Sequence, residues 1–358
     1  MESSGILDRR RVADRAPPLV LVTGGTGALG PVLVQRLLRE PYRVRLLSRQ
    51  AANSTVIPST VEWVRGSIVD TNVLREATAD VDVVFHLAAK LHVLEQQERW
   101  SDEYEQINVE GTRRLLQAAQ LSGVRRVVFF STISVYGPTS PGEFSDESSP
   151  LHPDSFYSQT KAEAERICLQ ACQTGSAEPL AVVLRLAAVY GPRVKGNYAR
   201  LLRALKRGWF IPVGPGLNRR TLVFDQDVVA AALLAAQYPQ AAGEVFNVTD
   251  GTVHQFRDII AAIALALNKR PPRLQLPLRG ARALARAAEI SLRLFGHRSP
   301  LTVAAVDKLV EDVAVKSDKI QRTLGFQPAF DLDRGWRATL NGLASDESAC
   351  DIKSQQKP

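Results

Sequence analysis

Apolar residues gather along the first half of the chain in short unbroken runs rather than in strict alternation. Residues 19–23, 44–47, 61–64, 81–88, 126–131 and 181–186 are rich in Val, Leu and Phe, the pattern of strands buried on both faces of a parallel sheet. Between them lie stretches of helical character at 28–40, 71–78, 102–121 and 157–173; Pro31 falls in the first turn, where its missing N–H does no harm. This βαβ rhythm predicts an α/β fold with a Rossmann-type, doubly wound parallel sheet. After Tyr190-Gly191-Pro192 the rhythm breaks. Helices over 198–207, 227–237 and 255–267 alternate with short strands at 221–224 and 245–248, and a Pro-rich link at 270–277 leads to a further helical run. A smaller, mixed α/β C-terminal lobe is expected there.

The first strand runs into Thr23-Gly24-Gly25-Thr26-Gly27-Ala28-Leu29-Gly30, which opens a helix. Glycines at 24, 27 and 30 permit a tight turn, close approach of backbone to a pyrophosphate, and close helix–strand packing. The helix then faces the phosphates with its positive dipole end. The second strand ends Leu47-Ser48-Arg49-Gln50, without the carboxylate that would hold the ribose 2'-hydroxyl of NAD. A hydroxyl followed by a guanidinium suits a 2'-phosphate, so NADP is favoured over NAD. The alternative is that Arg49 is a solvated loop arginine.

Downstream lies Tyr157-Ser158-Gln159-Thr160-Lys161. Four residues apart on a helix, Tyr157 and Lys161 project the same way. An ammonium beside a phenol stabilises phenolate and is expected to lower the Tyr pKa. The Tyr could then exchange a proton with a substrate hydroxyl or carbonyl while a nicotinamide exchanges hydride. A surface helix can carry such a pair by chance. Ser131-Thr132-Ile133-Ser134 favours chemistry, because it leaves a strand end where a doubly wound sheet places its ligands.

These segments, with His86-Leu87-Ala88-Ala89, Asn108-Val109-Glu110-Gly111-Thr112, the Val135-Tyr136-Gly137 that follows Ser134, and Arg185 leading to Val189-Tyr190-Gly191-Pro192, resemble the extended short-chain dehydrogenase/reductase family in its NAD-dependent epimerase/dehydratase branch. The similarity runs from Leu19 to about Thr339. It implies Tyr157 as acid/base, Lys161 on the nicotinamide ribose and Thr132 as the triad hydroxyl, with Ser131 as its neighbour and fallback. Along the cofactor it implies Gly24, Gly27, Ala28, Leu29, Gly30, Ser48, Arg49, Ser67, Ile68, Leu87, Ala88, Ala89 and Asn108, besides Tyr157 and Lys161. Toward the substrate it implies Lys90, Ser131, Thr132, Asn197 and Arg220. The stretch from Arg219 to Val228 is similar to the one in which nucleotide-sugar members set an arginine on the diphosphate; Arg220 matches it, and a fork of donors suits paired phosphate oxygens. Asn197, at a helix start, serves either as an N-cap or as a phosphate contact.

Segments 88–93 and 243–248 resemble bacterial sugar-nucleotide 4-epimerases and 4-reductases, implying a UDP-hexose or UDP-N-acetylhexosamine substrate reacting at C4. Three departures bear on this. Ala188 stands where many sugar-nucleotide members carry Asn. Gly66-Ser67 replaces a Gly-Asp pair near the adenine, although Asp70 remains. Ser48-Arg49 replaces the acidic end typical of epimerases that retain NAD, which shifts weight toward a reductase. Sterol-type members also lack that Asn and have a more apolar C-terminal part, so a 3β-hydroxysteroid or other lipid-alcohol dehydrogenase is the rival enzyme. A nucleotide-sensing protein without turnover is the rival of another class, and the intact Thr132, Tyr157 and Lys161 set argues against it.

Composition narrows the picture little further. A chain of 358 residues accommodates one large domain or two interlocked ones. Residues 1–16 are expected to form a flexible tail, 17–190 the dinucleotide-binding domain with 225–248 returning to it, 191–224 and 249–342 the substrate lobe, and 343–358 a disordered tail. A mean hydropathy of −0.09 is that of a soluble protein, and no apolar run reaches the roughly 18 residues that span a bilayer. Three cysteines, Cys168, Cys172 and Cys350, make neither a metal site nor a disulfide framework, so a reducing cytoplasm is expected. The net charge of +8 is spread over predicted helices with only 6% aromatic residues. A phosphate-bearing substrate accounts for it as well as nucleic acid does, and no nucleic-acid partner is expected. Residues 279–298 set Arg279, Arg282, Arg286 and Arg293 on one side of a helix and Leu284, Ala288, Leu292 and Phe295 opposite. Such a helix either packs on the core with a solvated basic face or rests peripherally on an anionic membrane. Look-alikes commonly form homodimers, and a homodimer is expected here.

Overall fold

The computed structural model describes residues 17–50, 57–91, 101–193, 196–294, 299 and 302–354. The tail expected over 1–16, His92 and Val93, Val194 and Lys195, residues 295–298 and the last four residues lie outside these. The strands are β1 (Leu19–Thr23), β2 (Arg43–Ser48), β3 (Glu62–Arg65), β4 (Val83–His86), β5 (Arg126–Thr132), β6 (Ala181–Leu186), β7 (Ala188–Tyr190), β8 (Arg219–Phe224), β9 (Val245–Val248) and β10 (Val253–Gln255). The helices are α1 (Gly30–Leu37), α2 (Thr71–Thr78), α3 (Ser101–Tyr104), α4 (Gly111–Leu121), α5 (Phe156–Gln170), α6 (Asn197–Arg207), α7 (Asp225–Gln237), α8 (Phe256–Ala266), α9 (Leu278–Leu294), α10 (Val303–Val310), α11 (Asp318–Leu324) and α12 (Leu332–Ser354).

Seven strands form one parallel sheet in the order β3-β2-β1-β4-β5-β6-β9. Every residue of β1 is buried. Val20 and Val22 belong to a core shared with α1 and α7, while Leu19 and Leu21 face α2, α4 and α5. Burial on both faces is why the run shows no alternation. Strand order doubles back between β1 and β4, which opens a crevice above their C-terminal ends. A second sheet, β10-β8-β7, carries the lobe. Its core stacks Tyr190 on Trp336 at 4.7 Å, with Leu201, Leu205, Phe224 and Ile259 around them.

Local chemistry sets the helix ends that matter for the site. Ser155 and Ser158 close a capping box that starts α5 one residue ahead of Tyr157. Asp70 caps α2, accepting from Asn72 N at 2.9 Å and Val73 N at 3.2 Å. That occupation accounts for the Asp that remained near the expected adenine position.

Four differences from expectation stand out. β7 and β10 have three residues each, too short to leave an apolar run, and exist because β8 pairs with both. The helix expected over 102–121 is interrupted by a π-helical stretch, Glu105–Glu110, a distortion common near functional sites. On α9 the face that packs is Ala281 and Ala285, while Leu284 is exposed. Alanines bring α9 close to Val306 of α10, and the bulkier residues are turned away. Finally, α12 runs to Ser354, through much of the expected C-terminal tail, because no Gly or Pro follows Gly342 until Pro358. Among the described residues no helix is long and apolar enough to cross a membrane.

Candidate active site

The glycine turn is packed too closely for side chains. Gly24 has φ +72°, and a Cβ on it would lie 2.6 Å from Ala88 N at the end of β4. A Cβ on Gly30 would lie 2.1 Å from Gly25 O, and one on Gly25 would meet the Leu46 side chain at 2.0 Å. Gly27 N closes the turn on Gly24 O at 2.9 Å. Leu29 at the N-cap offers α1 no side-chain hydrogen bond, so backbone N–H groups at this helix start are left for a ligand. Bare backbone, uncapped donors and a dipole end fit a dinucleotide pyrophosphate. Beside it, Ser48 is buried, its Oγ accepting from Gln50 N at 3.1 Å, and Arg49 is exposed. Ser67 Oγ accepts weakly from Val69 N at 3.4 Å, and Ile68 is buried against Gly111.

Beneath the crevice runs a chain of hydrogen bonds with one consistent direction. Thr112 Oγ1 donates to Asn108 O at 2.6 Å and so accepts from His86 Nε2 at 2.9 Å. That tautomer leaves His86 Nδ1 to accept from Thr23 Oγ1 at 2.7 Å, and Thr23 Oγ1 accepts from Ala88 N at 3.3 Å. His86 is therefore a neutral strut joining β1, β4 and α4. Burial, then the nearby Lys161 charge, lowers its pKa to about 3.

Asn108, expected along the cofactor, is buried in the π-helical stretch and ties protein to protein. Its Oδ1 accepts from Lys90 N at 2.7 Å; its Nδ2 donates to Thr160 Oγ1 at 3.1 Å and more weakly to Lys90 O. Thr160 Oγ1 in turn donates to Tyr157 O at 3.0 Å. The loop Leu87–Ala88–Ala89–Lys90 is thus held against the start of α5. Lys90 Nζ pairs with Glu103 at 2.8 Å.

Adjacent hydroxyls on β5 have different fates. Ser131 faces α5, is buried, and donates to Glu165. Strand alternation points it into the interior, so its hydroxyl is committed to Glu165 rather than turned the way of Thr132. Thr132, the next residue, ends the strand partly exposed; its Oγ1 accepts from Ser134 N at 3.2 Å and donates to Ser134 Oγ at 3.1 Å. Glu165 is held twice by Arg185, at 3.0 Å from Nε and 2.7 Å from Nη2. Arg185 Nη1 reaches Tyr136 OH, which donates to Asn247 Oδ1, both at 2.8 Å. This buried network welds α5, β5, β6 and β9 beneath the site.

Tyr157 and Lys161 share the inner side of α5, and the Lys161 ammonium sits 3.8 Å from the Phe129 ring centroid. The expected depression of the Tyr157 pKa is not found. Burial, with the neighbouring Tyr104, pushes it up to about 12. Burial lowers Lys161 to about 8, opposed by Cys168 and Glu165. Both resolved influences raise the phenol's pKa and none from the lysine offsets them, so Tyr157 is a protonated donor near neutrality.

The lobe residues are arranged otherwise. Arg220 Nη2 donates to Lys308 O at 2.7 Å and Leu309 O at 3.2 Å at the end of α10. Asn197 is exposed and is the first residue of α6, while Gly196 occupies the N-cap without a side-chain bond. Asn197 is thus not the cap, because the left-handed turn falls one residue earlier. Ala188 lies in β7 opposite Leu222. The supporting residues His86, Glu165, Arg185 and Gly25 carried roles that the sequence reading did not assign. A buried-strand histidine and a lone Arg within an apolar run were the signals available.

A doubly wound sheet with a glycine-lined first turn and a Tyr–Lys helix over the neighbouring strand end defines a nicotinamide-dependent oxidoreductase of the short-chain type. The chain belongs to the NAD dependent epimerase/dehydratase family, whose family model matches residues 20–249. It is 30% identical over 336 residues to a UDP-glucose 4-epimerase of Vibrio cholerae, covering 92% of this chain and 96% of that one. It is 31% identical over 310 residues to a 4-hydroxy-2-methyl-3-oxo-4-farnesyl-3,4-dihydroquinoline-1-oxide ketoreductase of Stigmatella aurantiaca, covering 85% and 90%. Among solved structures it superposes on MoeE5 in complex with UDP-glucuronic acid and NAD, with TM-score 0.72, 27% identity, and coverage of 91% and 99%. The protein is an NAD(P)-dependent enzyme.

Proposed function

We propose that the enzyme transfers hydride at a secondary alcohol or ketone carbon of a nucleotide sugar, at C4 of a UDP-hexose or UDP-N-acetylhexosamine. The observation that carries this reading is the near-complete alignment with a UDP-glucose 4-epimerase in a chain that retains Thr132, Tyr157 and Lys161. Gly24, Gly27, Ala28, Leu29 and Gly30 hold the pyrophosphate, and Lys161 holds the nicotinamide ribose. Ser48 and Arg49 meet the adenosine ribose and favour NADP, because no carboxylate ends β2. When bound, the nicotinamide supplies or accepts the hydride. Thr132 hydrogen-bonds the reacting oxygen. Tyr157, protonated near neutrality, donates its proton to a developing alkoxide, which suits reduction of a 4-ketone. In the epimerase direction Tyr157 must first give up its proton: the phenolate takes the 4-hydroxyl proton and returns it after the keto sugar has turned over.

Incubation with UDP-glucose and UDP-N-acetylglucosamine, followed by proton NMR of the sugar, tests the epimerase form. Oxidation of NADPH against a UDP-4-keto sugar tests the reductase form. Inactivity in both, with dinucleotide binding intact, overturns the reading. A second reading, a lipid-alcohol dehydrogenase, draws on the similarity to a farnesylated quinoline ketoreductase, on Ala188, and on Arg220 already being engaged by α10 carbonyls. Arg220→Ala separates the two: KM for a nucleotide sugar rises ~10–100-fold if the guanidinium also meets the diphosphate, whereas a lipid ketone is unaffected.

A further inference from the structure

The lobe carries a surface that the cleft does not use. Residues 197–217 hold four Lys or Arg and residues 265–294 hold seven, against one acidic residue, Glu289. Glu289 accepts from Val303 N at 3.2 Å, within the helical pair. The two stretches form one surface. Val213 bridges Leu276, with Gly214 N donating to Leu276 O and Leu276 N to Pro212 O, both at 2.9 Å. The Lys269 ammonium donates to Lys206 O. From this surface stand Trp209, 78% exposed, and Leu274, 76% exposed, with Ile211 and Ile290 exposed as well.

The packing of α9 explains how this surface arises. Ala281 and Ala285 sit on Val306, Val213 and Leu276. At 100° per residue this turns Arg279, Arg286 and Arg293 outward, with Ile290 among them. Arg279, Arg286, Ile290 and Val303 line a basin of about 510 Å³. Arg282 is taken up by Asp307 at 2.7 Å.

Single exposed apolar side chains need no partner, but a cluster rimmed by cations does. Nucleic acid would satisfy the guanidinium groups and leave the leucine and isoleucines in water. A bilayer interface takes both kinds of residue: Trp, Leu and Ile enter the headgroup boundary while Arg and Lys meet lipid phosphates. We propose that this face of the lobe docks the enzyme on an anionic phospholipid bilayer. The consequence reaches the site through α10. Lys308 pairs with Asp154, immediately before the Ser155 that caps α5, and Arg220 grips the Lys308 and Leu309 carbonyls. Docking through α9 therefore sets the bilayer beside α10, the helix whose end is tied to Arg220 and to the residue before the α5 cap, whichever alcohol the site takes.

The test is co-sedimentation of the full chain with vesicles of phosphatidylcholine alone and with about one quarter phosphatidylglycerol, at about 50 and about 500 mM salt. Binding to the anionic vesicles alone is expected, with at least a ~10-fold loss at high salt. Arg279→Gln/Arg286→Gln/Arg293→Gln weakens it roughly fivefold per charge, ~100-fold together. Trp209→Ser/Leu274→Ser weakens it at both salts. Both variants keep the wild-type melting midpoint and dinucleotide affinity, since neither touches core or cleft. Equal binding to neutral and anionic vesicles overturns the proposal. So does an absence of vesicle binding, with or without retention on RNA or an acidic protein, and so do folded variants that bind as the wild type does.

Discussion

The two walls of the cleft are built by opposite means. On the dinucleotide side, Thr23, His86, Thr112 and Asn108 are buried and bonded to one another or to backbone in a directed chain. Below them, Ser131, Glu165, Arg185 and Tyr136 form a second closed set. On the lobe side, Arg220 borrows carbonyls from a helix end, Asn197 is exposed, and α10 is tied across by the Lys308–Asp154 pair at the surface. A side that performs the same proton and hydride chemistry for every substrate gains from rigidity, because geometry is part of its rate. A side that must fit one substrate changes most cheaply when few buried groups depend on it.

The sharpest way to break this comparison is Tyr157→Phe. If the rigid side holds the chemistry, turnover falls ~10²–10⁴-fold while dinucleotide binding, followed by NADPH fluorescence, stays within a few-fold. Retained turnover would move the acid/base elsewhere. Next in size is Arg185→Ala, which leaves the Glu165 charge buried without its partner. A loss of about 3–5 kcal/mol is expected in urea unfolding, and Arg185→Met/Glu165→Met should recover much of it.

His86 predicts a pH effect with a definite sign. Its pKa is about 3 folded and roughly 6.5 unfolded. Between these values the unfolded chain holds the extra proton, so stability falls as pH drops from about 6.5 toward 3. The loss amounts to a few kcal/mol at most. Urea midpoints measured across that window check it, and a His86→Gln variant, lacking this group, should show a shallower decline. The smallest effect expected is from Asn197→Ala on the lobe. An exposed first-turn residue without a capping role should leave the unfolding free energy within about 0.5 kcal/mol of wild type, and any change should appear in KM alone.

Much of the dinucleotide side was legible because its constraints are local. Unbroken apolar runs mark strands covered on both faces, and glycines at 24, 27 and 30 mark a turn in which a Cβ would collide at 24 and 30 and be tight at 27. The residues that misled did so through neighbours distant in sequence. Ser131 and Thr132 are equivalent until a strand end and Glu165, 34 residues on, divide them. The Tyr157 pKa follows burial set by the whole fold rather than the lysine four residues away. The packing face of α9 could not be found from periodicity, because alanines, counted as weakly apolar, set the approach to α10 while Leu284 was left outside.

By itself, then, the sequence determined the sheet's strands, the turn for the cofactor and the spacing of Tyr157 and Lys161, since each depends on residues within a few positions of one another. Tertiary structure alone decided which hydroxyl opens to the cleft, which buried groups brace it, and which face of the lobe is left cationic and apolar. Those outcomes depend on contacts between segments far apart in the chain, where burial and partner choice outweigh any local preference.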